Sequence, residues 1–161
     1  IKLSRLETGI ISLSPKKHEI QPLLDKIFIQ YNQKADSKDL YLNTVKTDTT
    51  AVFDEKWTLE ALCNIVDNAI KYTVTGGISI NVIVYEFFVR IDISDTGIGI
   101  SDNEHEKVFS RFYRSEKANT TEGVGIGLYL ARKIITGENG YIKVSSLPEH
   151  GSTFSVFLSK L

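Results

Sequence analysis

Two asparagines one helical turn apart, Asn64 and Asn68, share a polar face with Glu60, Asp67 and Lys71. At about 100° per residue these five fall within a third of the circumference. Leu59, Leu62, Cys63, Val66, Ala69 and Ile70 take the opposite arc. A face that only meets solvent is built more cheaply from Glu, Lys or Gln, because Asn is a mediocre helix former. Asn side chains offer neutral oxygen ligands to Mg²⁺ without adding charge, and Lys71 offers a positive charge to phosphate. The face is either a metal–phosphate site or a plain solvated surface.

Two glycine-rich loops accompany it. The first, Asp95-Thr96-Gly97-Ile98-Gly99-Ile100, directly follows a strand pattern. A carboxylate there accepts a hydrogen bond from the exocyclic amine of adenine. Guanine presents a carbonyl at that position and leaves the acceptor unpaired. Gly97 and Gly99 let backbone pass close to a base. Taken alone, the segment reads first as a plain glycine-rich turn. The second loop, Gly123-Val124-Gly125-Ile126-Gly127-Leu128, opens a helix. Backbone N–H groups at a helix start favour phosphate. Its spacing is neither the dinucleotide fingerprint nor a Walker loop.

The elements that position these residues follow from periodicity. Ile1, Leu3 and Leu6 have helical spacing that stops at Gly9. A connector with Pro15 leads to a helix over 22–36, with Leu23, Ile27 and Tyr31 inward. Strands are predicted over 40–45 and 51–53, a helix over 56–73, and paired strands over 78–84 and 88–94. Residues 103–113 read as a helix and 114–122 as polar and aperiodic. A helix to Ile135 and closing strands over 141–146 and 153–158 complete the order, which predicts one layered α/β sandwich.

Bulk properties narrow the classes. A length of 161 residues accommodates a core, and 42% hydrophobic with 24% charged residues is a globular balance. The net charge of −1 gives no bulk attraction to nucleic acid or acidic membrane. Cys63 is the single cysteine, so a disulfide framework is excluded. No apolar run is long enough to span a membrane, and no secretory signal opens the chain. Without Met, and starting at Ile1, the chain reads as a piece of something longer.

In their order along the chain, the motifs resemble those of sensor histidine kinases. Asn64-Ile65-Val66-Asp67-Asn68-Ala69-Ile70-Lys71-Tyr72-Thr73 resembles the asparagine box, and Asp95–Ile100 the first glycine box. Phe109-Ser110-Arg111-Phe112-Tyr113-Arg114 resembles the phenylalanine box. Gly123–Leu128 resembles the second glycine box, and Gly151-Ser152-Thr153-Phe154 the short closing glycine motif. All five occur in family order with family-like gaps. Residues 1–9 resemble the end of the dimerisation helix that precedes the catalytic ATP-binding domain, here 10–161.

The resemblance implies a two-layer α/β sandwich, shared with the gyrase, Hsp90 and mismatch-repair ATPases. Its sheet is mixed and mostly antiparallel, with helices on one face and a mobile lid at 115–122. It implies ATP and Mg²⁺ as cofactors. Asn68 then ligates Mg²⁺ with Asn64 beside it, Lys71 meets phosphate, and Tyr72 flanks adenine or ribose. Asp95, supported by Thr153 through water, holds adenine, with Gly97 and Gly99 passing the base. Arg114 reaches the γ-phosphate, with Arg111 as a weaker candidate. The loop Gly123, Gly125, Gly127 and Leu128 receives phosphates.

The implied activity is that of a protein-histidine kinase in two-component signalling. The acceptor histidine lies on an upstream dimerisation domain, a response regulator is served through that domain, and nucleic acid plays no part. The intact protein is then a homodimer, this piece a monomer, and its place the cytoplasmic side of a membrane-bound sensor. An anti-sigma-type serine kinase or another ATPase of the fold is the alternative. Two departures stand out. Asn64 occupies the position where gyrase-type ATPases carry a water-activating glutamate, and an amide cannot act as a general base. The segment Thr136-Gly137-Glu138-Asn139-Gly140 lacks the expected His-Gly-Gly. His18, His105 and His150 lack the acceptor context and are expected to face solvent.

Overall fold

A computed structural model describes residues 12–110 and 127–161. The expected helix end at 1–9 lies outside the described residues. The first element was not legible in the sequence. Strand β1, Lys16–Glu19, lies in what reads as a connector. Its residues Lys-Lys-His-Glu carry no apolar alternation, and its backbone pairs antiparallel with β3, Thr50–Phe53. Between them run helix α1, Gln21–Asp36, and the short strand β2, Tyr41–Asn43. Pro22 sits in the first turn of α1, where its missing N–H costs nothing. Leu23, Leu24, Ile27 and Ala35 are its buried face.

Helix α2, Glu55–Lys71, begins at a strong cap. The Asp54 carboxylate Oδ1 accepts from the Trp57 N–H at 3.0 Å. Ala61, Leu62, Ile65, Val66 and Ile70 are almost fully buried, so the apolar arc packs and the Asn64–Lys71 arc is left toward solvent. At the other end, Lys38 Nζ donates to the Ile70 carbonyl at 2.6 Å, satisfying an orphan of the last turn. Strands β4, Gly77–Val84, and β5, Phe88–Asp95, form a hairpin. Helix α3, Gly127–Gly137, precedes β6, Tyr141–Ser146, and β7, Ser152–Ser159.

The main sheet has the order β2-β4-β5-β7-β6. The β2–β4 pair is parallel and the others antiparallel, which gives the mixed, mostly antiparallel sheet expected. Alternation is clean: Val89, Ile91 and Ile93 of β5, with Phe154, Val156 and Leu158 of β7, are buried toward the helices. The open face carries aromatics at one end, where Tyr141 stacks on Phe157 at 4.2 Å between ring centroids. Cys63 is a buried core thiol, as expected, and burial pushes it up to about 11.

Of the helix expected over 103–113, residues 111–113 lie outside the described residues, and the rest is instead two 3₁₀ turns, Asp102–Glu104 and Lys107–Phe109. The Ser101 hydroxyl is 2.7 Å from both Asn103 Oδ1 and Glu104 Oε1, and such local side-chain bonds compete with α-helical pairing. The three histidines also differ from one another. His150 is exposed. His18 lies 3.3 Å from Glu55 Oε2 and 5.2 Å from the Phe53 ring, and His105 is 3.2 Å from the Ile100 carbonyl, so both are half-buried.

Replacing Ile91 by Ala is expected to cost about 2–5 kcal/mol of unfolding free energy. Replacing exposed Asn81 on the paired strand is expected to change it by less than about 0.5 kcal/mol. Urea unfolding of the two variants checks the assignment of sheet faces.

Candidate functional site

Asp95 is the last residue of β5, and its parity turns it toward the helices. Its Oδ1 accepts from the Gly97 N–H at 2.9 Å and from the Ser152 N–H at 3.2 Å. Burial raises the carboxyl above its ordinary range, and these two donors oppose the rise. The loop after it is stitched on both sides. Ile98 N–H donates to the Tyr72 carbonyl at 3.2 Å, and Glu149 N–H to the Ile98 carbonyl at 2.6 Å. Ile100 N–H donates to Ser146 Oγ at 2.7 Å.

Glycine is required here by close approach. A Cβ on Gly97 would lie 2.4 Å from the Tyr72 carbonyl oxygen and 3.0 Å from Asp95 Oδ1. Gly99, at φ +73°, would put one 1.9 Å from the Leu147 carbonyl oxygen. A cavity of about 240 Å³ opens beside the loop, lined by Val74, Thr75, Thr96, Gly97, Ile98 and Glu149.

The expected partner of Asp95 is corrected. Thr153 is on the opposite face of β7, its hydroxyl 2.9 Å from Ser94 Oγ. The residue in register with Asp95 is Ser152, which is buried and whose Oγ lies 2.9 Å from Ser146 Oγ. Strand parity carried this signal: 152 shares its face with buried Phe154, Val156 and Leu158, and 153 does not.

The asparagine face runs beside this loop, because Tyr72 ends α2 and touches Ile98. Asn64 Nδ2 donates to the Gly127 carbonyl at 3.2 Å, joining α2 to the start of α3. One N–H of the amide is thereby engaged, and the oxygen is the atom that could serve as a ligand. Asn68 is half-buried one turn on. Lys71 Nζ pairs with Asp67 Oδ2 at 3.1 Å, and Lys34 of α1 holds the other oxygen of Asp67. These cations hold the Asp67 carboxyl below its ordinary value despite its burial. Leu128 is buried in the first turn of α3.

Phe109 is a packing residue, edge-on to Phe154 at 5.9 Å with the Arg132 guanidinium 4.9 Å from its ring centroid. Arg111, Arg114, Gly123 and Gly125 lie outside the described residues, as does the expected lid. The described residues thus bring Asn64, Asn68, Lys71, Tyr72, Asp95, Gly97 and Gly127 to one edge of the α/β sandwich and leave Thr153 on the other face.

No described group of three or more His, Cys, Asp or Glu side chains forms a metal cluster. The amide oxygens of Asn68 and Asn64 are donors that would suit a hard cation held chiefly by a ligand's own phosphates.

The match to known proteins follows the same outline. Residues 53–161 match the family described as "Histidine kinase-, DNA gyrase B-, and HSP90-like ATPase", and the chain belongs to this family. It is 34% identical over 158 residues to the adaptive-response sensory kinase SasA of Microcystis aeruginosa, covering 96% of this chain and 41% of that one. It is 32% identical over 165 residues to the sensor-like histidine kinase SenX3 of Mycobacterium bovis, covering 100% and 40%. The chain therefore spans about two fifths of the length of these two relatives. Full-length ShkA, solved in complex with AMPPNP, superposes with a TM-score of 0.85 at 23% identity, covering 96% of this chain and 33% of ShkA, a likeness of fold. No helix among the described residues is long and apolar enough to cross a membrane.

Gly97→Ala is expected to cost about 1–3 kcal/mol of stability, because the new methyl meets backbone that cannot yield. Gly137→Ala also meets a close neighbour, Leu13 Cδ1 at 2.6 Å. That is the free end of a side chain, and its rotation keeps the cost small. Denaturation midpoints of the two variants decide.

Proposed function

We propose that this chain binds Mg·ATP between the asparagine face of α2 and the Asp95 loop. Its γ-phosphoryl group then passes to a histidine on a dimerisation domain outside this sequence. The observation that carries the proposal is Asp95 itself, a half-buried carboxylate whose Oδ1 is satisfied by two backbone donors and whose Oδ2 is the atom proposed to meet a ligand. A purine with an exocyclic amine suits that acceptor, and a purine carbonyl does not. AMPPNP in ShkA and the sensory-kinase names of the relatives support a triphosphate nucleotide and a signalling role.

Each residue of the chain then has a task. Asp95 accepts from the adenine amine, with Ser152 and Gly97 holding the carboxylate in place. Tyr72 flanks the base or ribose. Lys71 moves from Asp67 to the phosphates, and the backbone of Gly127 and Leu128 at the start of α3 favours anionic oxygens. Asn68 and Asn64 hold Mg²⁺, which when bound neutralises phosphate charge and polarises the P–O bonds. Arg114, seconded by Arg111, and the backbone of Gly123 and Gly125 are proposed for the triphosphate on the strength of the motif resemblance.

In the transfer a P–N bond forms at the acceptor imidazole while the bond between the γ-phosphorus and the β,γ-bridging oxygen breaks, leaving ADP. The protein's part is positioning and charge neutralisation. Asn64 gives water no general base, so nucleotide is kept from hydrolysis until an imidazole arrives. The phosphoryl group passes onward to a response regulator through the same domain. The intact protein is proposed to be a homodimer, with this domain on the cytoplasmic side of a membrane-bound sensor.

Calorimetry with Mg·AMPPNP is the test. Asp95→Asn is expected to weaken binding by about tenfold or more. Mg·GMPPNP is expected not to bind the unaltered chain measurably. Equal affinity for the two nucleotides, or an unaffected Asp95→Asn variant, refutes the proposal.

A further inference from the structure

The two helices of the site are joined at two places, near both ends of α3. At the nucleotide end the link is Asn64 to Gly127. At the far end it is Glu138, immediately after α3, which is 2% exposed and reaches the first turn of α2. Its Oε1 accepts from the Asp54 N–H at 2.8 Å, and Thr58 Oγ1 lies 2.7 and 2.8 Å from its two oxygens. Asp54 is also buried. Its carboxylate caps α2 through Trp57 and takes the Ser14 N–H at 2.8 Å, which fastens the segment preceding β1 to the same point.

Two buried carboxyl groups are therefore neighbours. Asp54 is the one charged group among the described residues that acts on Glu138 through space, and no cation offsets it. From the other elements around it, Leu13, Ser14, Phe53 and Thr58 are uncharged, as are Gly137, Asn139 and Gly140 of its own turn. Ionising both carboxyls without a counter-charge strains the junction, and one proton relieves it. This arrangement stands where the motif resemblance leads to His-Gly-Gly.

We propose that Glu138 is a proton-binding positioning residue: protonated, it locks the far end of the α2–α3 pair and so sets where Asn64 and Gly127 meet at the nucleotide end. The effect on nucleotide rests on the function proposed above, while the proton-operated clamp does not. Burial moves the Glu138 carboxyl from 4.5 to about 7, opposed by the Thr58 and Asp54 donors and reinforced by the Asp54 charge. Between those values the folded chain holds more protons than the unfolded one. The group's contribution to stability is complete below the unfolded value and is lost as pH rises through the folded one.

The experiment compares the unaltered chain with Glu138→Gln and Thr58→Val between pH 5.5 and 8.5, by thermal melting and by calorimetry with Mg·AMPPNP. The ratio of dissociation constants at each pH cancels the nucleotide's own titration. Relative to Glu138→Gln, the unaltered chain is expected to lose several degrees of Tm as pH rises. Its dissociation constant is expected to rise several-fold in ratio. Thr58→Val removes a donor to the charged form and is expected to move the midpoint of the Tm profile upward; this arm decides if Glu138→Gln fails to fold. Parallel melting profiles, or an unmoved Thr58→Val midpoint, refute the clamp. Diverging melts with a constant affinity ratio refute the positioning role alone. If the unaltered chain binds no nucleotide, the proposed function falls, and the melts still judge the clamp.

Discussion

A carboxylate at the end of an interior strand is expensive to bury unless backbone donors meet it and nothing crowds it. Asp95 satisfies both conditions through its neighbours. Gly97 and Ser152 supply the N–H groups, and Gly151, at φ +78°, brings backbone so close to the Asp95 carbonyl that a Cβ would sit 2.1 Å from it. Pairing of β5 with β7 puts Ser152 opposite Asp95 and thereby fixes the second donor. A one-residue slip of that register would turn Asp95 to the open face and dismantle the site.

The same constraint explains why the helices stand as they do. The loop that carries Gly97 is fastened to the end of α2 by Ile98 and Tyr72, so the asparagine face is delivered beside the acidic acceptor. Helix α3 is then tied to α2 at Asn64 and again at Glu138. The Asp95 carboxylate, the asparagine amides and the start of α3 are thus held together by elements distant in sequence.

The elements with strong periodicity were legible in advance. The α2 apolar arc, the β4–β5 hairpin and the closing strands all appear where residues such as Ile70, Ile91 and Val156 required them. Failures came where a different force decided. β1 has no pattern in Lys16–Glu19 and forms because β3 offers backbone partners. The segment after Gly99 has a helical composition, yet Ser101 diverts its side chains into local bonds. Thr153 follows from the motif resemblance, whereas strand parity with Phe154 points to Ser152. Glu138 read as a missing motif and proved to be a buried acid, because nothing in a linear sequence places Thr58 beside it.

The most direct measurement is an NMR titration of the nitrogen-15-labelled chain with Mg·ADP. Large shifts are expected at the Asn64 and Asn68 side-chain amides and at the Gly97 and Ser152 backbone amides, saturating together. Shifts confined elsewhere, for example to the α1–α2 groove lined by Lys26, Leu59 and Cys63, would contradict the Asp95-centred site.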